Sequence, residues 1–191
     1  MLTQAYLFVK LDSMTATEQL KQEHEAILLM LQILEEISER LKNKKEVDLN
    51  DLKKILEFIR VFSDKCHHGK EEDLLFPALE KAGVPKDGGP IEMMLTEHDS
   101  GRAYIKGLSS ALESKSIKEI IENIDNYVSL LREHIDKENN ILYQIADMHL
   151  SQKEQENLLK EFEKLEEERI GHGKHEEFHK LLEGLEKLYL K

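Results

Sequence analysis

Hydrophobic side chains recur along most of the chain at steps of three and four residues, which is the spacing of one face of an α-helix. Six segments carry this pattern, at about residues 15–42, 48–81, 90–113, 117–147, 151–169 and 174–189. The first four are long and are joined by short turns. The pattern therefore predicts an all-α fold: an up-down-up-down four-helix bundle with a C-terminal helical extension.

Local signals mark where these helices begin and end. Capping-box sequences begin the first, fourth and fifth helices at Thr15, Ser116 and Ser151. Asp48 is placed to cap the second helix. Pro77 falls near the end of that helix and predicts a kink or an early stop there.

The length of 191 residues suits one domain with an extension. We assign residues 1–14 to an N-terminal arm, residues 15–147 to the bundle and residues 148–191 to the extension. The longest apolar run, residues 26–31, is far too short to span a membrane. Since the first residues lack a basic start followed by an apolar stretch, we expect no signal peptide and no membrane partner.

Charge and cysteine content narrow the expected surroundings of the protein. The formal net charge is −12, so the surface should repel phosphate backbones, and we expect no nucleic-acid partner. The one cysteine, Cys66, argues against a disulfide framework and for a reducing, cytoplasmic location. The sequence is compatible with a homo-oligomer and does not define one.

Polar residues interrupt the apolar stripes of all four bundle helices. Each helix has one histidine in its stripe, and the second and fourth have a glutamate four residues later. The residues are His24, His67, Glu71, His98, His134 and Glu138. Counted along the helices at about 1.5 Å per residue, they converge on one layer. Two buried carboxylates without cations are costly, so the pattern predicts a metal site, with iron favoured if two ions share bridging carboxylates.

Two histidine–glutamate pairs overlap in the second helix. His67 and Glu71 continue the apolar stripe, whereas His68 and Glu72 lie on a mixed face. We therefore assign the first pair as metal ligands. The second pair is interpreted as flanking residues that orient the ligands.

Three segments and a dipeptide resemble a known family. They are His24-Glu25, HHGKEEDLLFPALE (67–80), GGPIEMMLTEHD (88–99) and HIDKENNIL (134–142). Together they resemble the hemerythrin-like (HHE) cation-binding domain over about residues 15–147. The resemblance is strongest to the branch with four histidines and two glutamates, which includes the di-iron proteins that repair iron–sulfur clusters after nitrosative and oxidative stress.

The resemblance implies two iron ions in a non-haem centre. By that resemblance the four stripe histidines would be terminal ligands, and Glu71 and Glu138 would bridge the irons. Arg102 stands where oxygen-carrying members have a second histidine in the third helix. This difference leaves a coordination position for water, an exogenous ligand or another protein group.

The expected function is therefore to bind or react with oxygen, peroxide or nitric oxide, in stress response, sensing or iron supply. The partner would be a small diatomic or peroxide ligand. The alternatives are a metal-binding or storage module and an interaction domain with a structural metal, both without turnover.

Three further histidines, His172, His175 and His179, cluster in the extension. The favoured interpretation is an amphipathic helix that packs Phe178 and Leu182 on the bundle. The alternative is a lid over the metal site that supplies an additional histidine.

Overall fold

The computed structural model describes residues 14–171 and 173–191. The predicted N-terminal arm thus lies outside the described residues, apart from Met14. The described part contains six helices and no strand. The helices are α1 (Ala16–Lys42), α2 (residues 49–81), α3 (Pro90–Ser114), α4 (residues 117–149), α5 (Gln152–Arg169) and α6 (Lys174–Tyr189). The prediction of an all-α bundle with a helical extension is confirmed.

Two of the three predicted capping boxes form. The Thr15 and Ser151 side chains each accept a hydrogen bond from the backbone N–H three residues later, and the glutamate at that position bonds back. The prediction for Ser116 is wrong: α4 begins there, but the serine side chain caps nothing. The ψ angle of Ser116 is 91°, against 164° at Thr15 and 159° at Ser151, so its backbone departs from the geometry of the two serine and threonine caps that form.

Helices α2 and α4 contain π-helical segments, in which the backbone bonds run from residue i to i+5. The segments are Ile59–His68 and Glu71–Leu75 in α2 and Glu138–Leu142 in α4. Each of them contains a residue predicted to bind metal. After the second segment α2 continues through Pro77 to Lys81, so the predicted early stop does not occur.

The extension contributes to the core of the bundle. Phe162 of α5 joins a cluster of buried side chains near the start of α1, and Phe178 and Leu182 of α6 join the main cluster. The predicted packing of α6 on the bundle is confirmed. At the ends of the extension, Gln155 Oε1 accepts from the Ala16 backbone N–H (3.0 Å), and the Tyr189 hydroxyl donates to Asp51 (2.9 Å). Helices α5 and α6 therefore follow each other along α1.

Among the described helices, none combines the length and the apolar character that crossing a bilayer would require.

Candidate metal centre

The structure brings all six of the residues predicted to bind metal together inside the bundle. Helix α1 contributes one, α2 two, α3 one and α4 two. The residues are His24, His67, Glu71, His98, His134 and Glu138, and each is at most 1% exposed. They form two overlapping groups that also include His68.

The first group consists of His24, His67, Glu71 and Glu138. The Nε2 atoms of His24 and His67 are 2.9 Å apart. A Glu138 oxygen lies 3.2 Å from His24 Nε2, and a Glu71 oxygen lies 3.8 Å from His67 Nε2. Two imidazoles and two carboxylates thus converge on one small volume.

The second group consists of His68, Glu71, His98 and His134. The Nε2 atoms of His98 and His134 are 3.0 Å apart, and Glu71 Oε2 lies 3.4 Å from His98 Nε2. Glu71 belongs to both groups. Glu138 also reaches both, since its other oxygen lies 3.2 Å from His134 Nε2. Both glutamates therefore lie between the His24–His67 pair and the His98–His134 pair.

The prediction that His68 lies on a mixed face of the helix is wrong. Its side chain is buried, and its ring stacks on the His98 ring with centroids 3.9 Å apart. The π-helical backbone of Ile59–His68 changes the angular step between residues, so His67 and His68 both lie in the interior. The interpretation of Glu72 agrees with the structure, because this residue accepts a hydrogen bond from His98 Nδ1 (2.6 Å).

Hydrogen bonds define the proton positions on four of the histidines. Each Nδ1–H donates to a side-chain oxygen outside the ligand groups. The pairs are His24–Asn139, His67–Glu23, His98–Glu72 and His134–Glu97, at 2.6–2.9 Å. With the proton on Nδ1, every Nε2 presents its lone pair to the interior, which is the tautomer that binds a metal ion.

Three of these outer acceptors are carboxylates, and a cation holds each one. Lys70 donates to Glu23 (2.6 Å), while Arg102 and Lys137 contact Glu72 and Glu97. Burial alone would raise the pKa of Glu23, but the Lys70 ammonium and the His67 imidazole outweigh it and lower that pKa to about 2.

The sequence interpretation missed Glu23 and Glu97 as partners of the ligands. A signal for them existed, because Glu23 directly precedes His24 and Glu97 directly precedes His98. Each, however, contacts a histidine of a different helix, namely His67 or His134. The histidine next to each glutamate in the sequence is therefore not its hydrogen-bond partner, and the sequence alone could not identify the glutamate–histidine pairs.

Tyr143 is a further residue that the sequence interpretation missed. It is fully buried, and its hydroxyl donates a hydrogen bond to Glu71 Oε1 (2.6 Å). Its ring stacks on that of His24, with centroids 5.5 Å apart. Tyr143 therefore orients the shared carboxylate and supports one histidine of the first group.

The two shared carboxylates retain buried oxygens without partners. Glu71 Oε2 and both oxygens of Glu138 make no hydrogen bond with the described residues. Burial and the neighbouring Glu138 carboxylate raise the pKa of Glu71 well above its usual value. Buried, unpartnered carboxylate oxygens beside inward lone pairs match the donor set of a metal centre.

The two histidines of the extension that the structure describes lie outside both groups. His175 is half-buried against Phe62 of α2, and His179 is exposed. His172 lies outside the described residues. The additional imidazole of the second group comes from α2, not from the extension.

Comparisons with known proteins agree with this geometry. A family model described as the hemerythrin HHE cation-binding domain matches residues 15–146. Uncharacterized proteins of Mycobacterium bovis and of two Mycobacterium tuberculosis strains are each 24% identical over 163 residues, or 82% of this chain. The match covers 63% of each relative, so the chain spans less than two thirds of their length. No solved structure matches the chain significantly.

Proposed function

Because the chain belongs to the hemerythrin HHE cation-binding domain family, we propose that it is a non-haem di-iron protein that binds or reacts with oxygen, peroxide or nitric oxide. The observation that carries the proposal is the pair of four-residue ligand groups sharing Glu71. Mixed imidazole and carboxylate donors suit iron, and a shared carboxylate suits two neighbouring ions.

The two ligand groups indicate which residues would hold each ion. His24 and His67 would hold one ion, and His68, His98 and His134 the other, with Glu71 and Glu138 shared. When bound, the iron pair supplies reducing equivalents and a coordination position for a small ligand. The chain's own contribution is to hold each Nε2 lone pair inward and to fix Glu71 through the Tyr143 hydroxyl.

The third histidine of the second group changes the interpretation of Arg102. Its guanidinium contacts Asp64, Glu72 and Asp99. His68 supplies the imidazole that the sequence of α3 lacks. Arg102 therefore acts through Glu72, which orients His98.

A cavity of about 230 Å³ supports access by a small ligand. His68, Gly101 and Tyr127 form part of its buried wall, while Arg60 and Lys106 lie at its exposed side. The cavity thus connects solvent with an imidazole of the second group. It is large enough to admit a diatomic molecule or peroxide.

Roles in stress response, sensing or iron supply are consistent with such a centre. We also propose a cytoplasmic location, which the single cysteine supports. The acidic net charge of −12 supports a protein without nucleic-acid partners. Storage without turnover and a structural metal are the competing functions.

The test begins with protein purified aerobically. We expect about two metal ions per chain, mainly iron, with ferric absorption in the near ultraviolet. The reduced protein should then change its spectrum when nitric oxide or peroxide is added. One zinc ion per chain without affinity for iron would contradict the di-iron centre. A reduced iron protein inert to both reagents would indicate a structural metal, and rapid metal exchange without reaction would indicate storage.

A further inference from the structure

A second kind of side-chain cluster lies where the extension meets the bundle. Cys66 of α2, Glu166 of α5 and His175 of α6 each offer one ligand atom, and these atoms lie within 4.8 Å of one another. Cys66 is buried, and the other two residues are half-buried. None of the three belongs to the groups of the di-iron centre.

The imidazole of His175 has no satisfactory partner in this cluster. Its Nε2 atom is buried and makes no hydrogen bond with the described residues, although Glu166 Oε1 is only 3.0 Å away. The nitrogen and the oxygen are thus close but poorly directed for a hydrogen bond. Such a pair is well placed to share a cation.

The charges around the cluster balance when a divalent cation is present. The Lys70 ammonium is fully buried and contacts the other oxygen of Glu166 (2.9 Å) and Glu23 (2.6 Å). Glu166 Oε1 therefore remains available. Lys70 and a divalent cation together would offset the charges of Glu23, Glu166 and a Cys66 thiolate.

A groove of about 1290 Å³ between α1 and the extension gives cations a route to the cluster. Glu166 and His175 line it, and among the described lining residues there are seven glutamates and one lysine. Lined in this way, the groove should have a negative potential. That potential raises the local concentration of cations.

We propose that Cys66, Glu166 and His175 bind one borderline divalent cation of the Zn²⁺ type, separately from the di-iron centre. Thiolate, imidazole and carboxylate are the donors that zinc accepts, and water would complete four-coordination. Zinc ligands in a tetrahedral site are separated by roughly 3.5 Å. The 3.0 Å between His175 Nε2 and Glu166 Oε1 would therefore widen slightly on binding.

Metal binding at this site releases a proton. Metal ions bind the thiolate form of cysteine, so the Cys66 thiol must lose its proton when the cation binds. On binding, the S–H bond is replaced by a metal–sulfur bond, and the proton leaves to solvent. No change of oxidation state is involved.

Cobalt(II) provides a selective probe. Cys66 is the one cysteine of the sequence, so a thiolate-to-cobalt charge-transfer band in the near ultraviolet reports this site alone. We expect one equivalent of cobalt to produce the band in protein whose iron content has been measured beforehand. Zinc should abolish the band by competition. Neither ligand group of the di-iron centre contains sulfur. The cobalt band therefore tests the Cys66 site alone, and its result does not depend on whether the di-iron proposal is correct.

A matched pair of histidine variants tests whether His175 is a ligand of the cation. H175Q should weaken cobalt binding at least tenfold, whereas H179Q, an exposed histidine on the same helix, should leave it unchanged. Unaltered iron content and circular dichroism would show that both variants fold. Absence of the band in the unmodified protein, or equal affinity in H175Q and H179Q, would overturn the proposal.

Discussion

At the scale of single residues, four imidazole nitrogens face one another in pairs inside the bundle. The Nε2 atoms of His24 and His67 are 2.9 Å apart, and those of His98 and His134 are 3.0 Å apart. Since each Nδ1–H already donates to an outer acceptor, neutral rings have no proton with which to bridge either pair. Adjacent lone pairs repel each other unless a cation lies between or beside them. A metal ion removes this repulsion. A proton can also remove it in the second pair, where the Glu138 and Glu97 carboxylates outweigh burial and raise the pKa of His134 to about 9.

The role of His68 can be tested by comparing neighbouring substitutions. We expect H68A to lower the metal content from about two ions per chain to about one, because the first group does not contain His68. H67A should cause a loss of similar size. Metal analysis of the purified variants measures both, and H179A provides an exposed control. An H68A protein that keeps both ions would show that His68 only packs against His98.

Tyr143 permits a more conservative test. Y143F removes the hydroxyl that donates to Glu71 but keeps the stacked ring. We expect metal affinity, measured by competition with a chelator, to fall about tenfold, as is usual when a partner of a metal ligand is lost. Y127F is the matched control, because Tyr127 is also buried and its hydroxyl makes no hydrogen bond with the described residues. Equal affinities of the two variants would exclude a role for the Tyr143 hydroxyl.

At the scale of helices, irregular hydrogen bonding accompanies the metal centre. The segment Ile59–His68 ends on two histidines, and Glu71–Leu75 and Glu138–Leu142 each begin on a shared glutamate. A regular α-helix would place His67 and His68 on different faces. The π-helical turns therefore allow α2 to contribute adjacent histidines to two ligand groups.

The capping residues give a prediction at this scale. S151A should lower the free energy of unfolding by about 1 kcal/mol, because it removes a hydrogen bond at the start of α5. S116A should have a much smaller effect, since the Ser116 side chain caps no backbone group. Urea unfolding of the two variants measures the difference. A larger loss in S116A would contradict the observed cap geometry.

These helices also show which features the sequence could predict. Periodicity and local caps are sufficient to place α1 at Ala16–Lys42 and α6 at Lys174–Tyr189. The six proposed ligands could be selected because each lies in an apolar stripe. His68 could not, since its orientation depends on π-helical bonding that α-helical periodicity does not describe. The pairing of Glu23 with His67 depends on how two helices face each other, which local sequence does not specify.

At the scale of the whole molecule, the extension connects the two ends of the bundle. Arg169 of α5 donates to the backbone oxygen of Lys65 in α2 (3.1 Å). Its side chain occupies the space beside Gly69, where an added Cβ would lie 2.2 Å from the guanidinium. Further along, the Tyr189 hydroxyl bonds to Asp51 at the start of α2. The extension thus contacts α2 both near the metal layer and at the far end of the bundle.

This arrangement predicts that α6 stabilises the fold without taking part in the proposed di-iron centre. Leu182 is 4% exposed and belongs to the main core, so L182A should lower the free energy of unfolding by about 2–5 kcal/mol. L188A on the same helix is the control: Leu188 is 54% exposed, and its truncation should change stability by less than about 0.5 kcal/mol. Urea unfolding measures both values. Because Leu182 belongs to neither ligand group, the iron content per folded chain should remain unchanged in both variants. A folded L182A protein depleted of iron would show that α6 supports the metal centre directly.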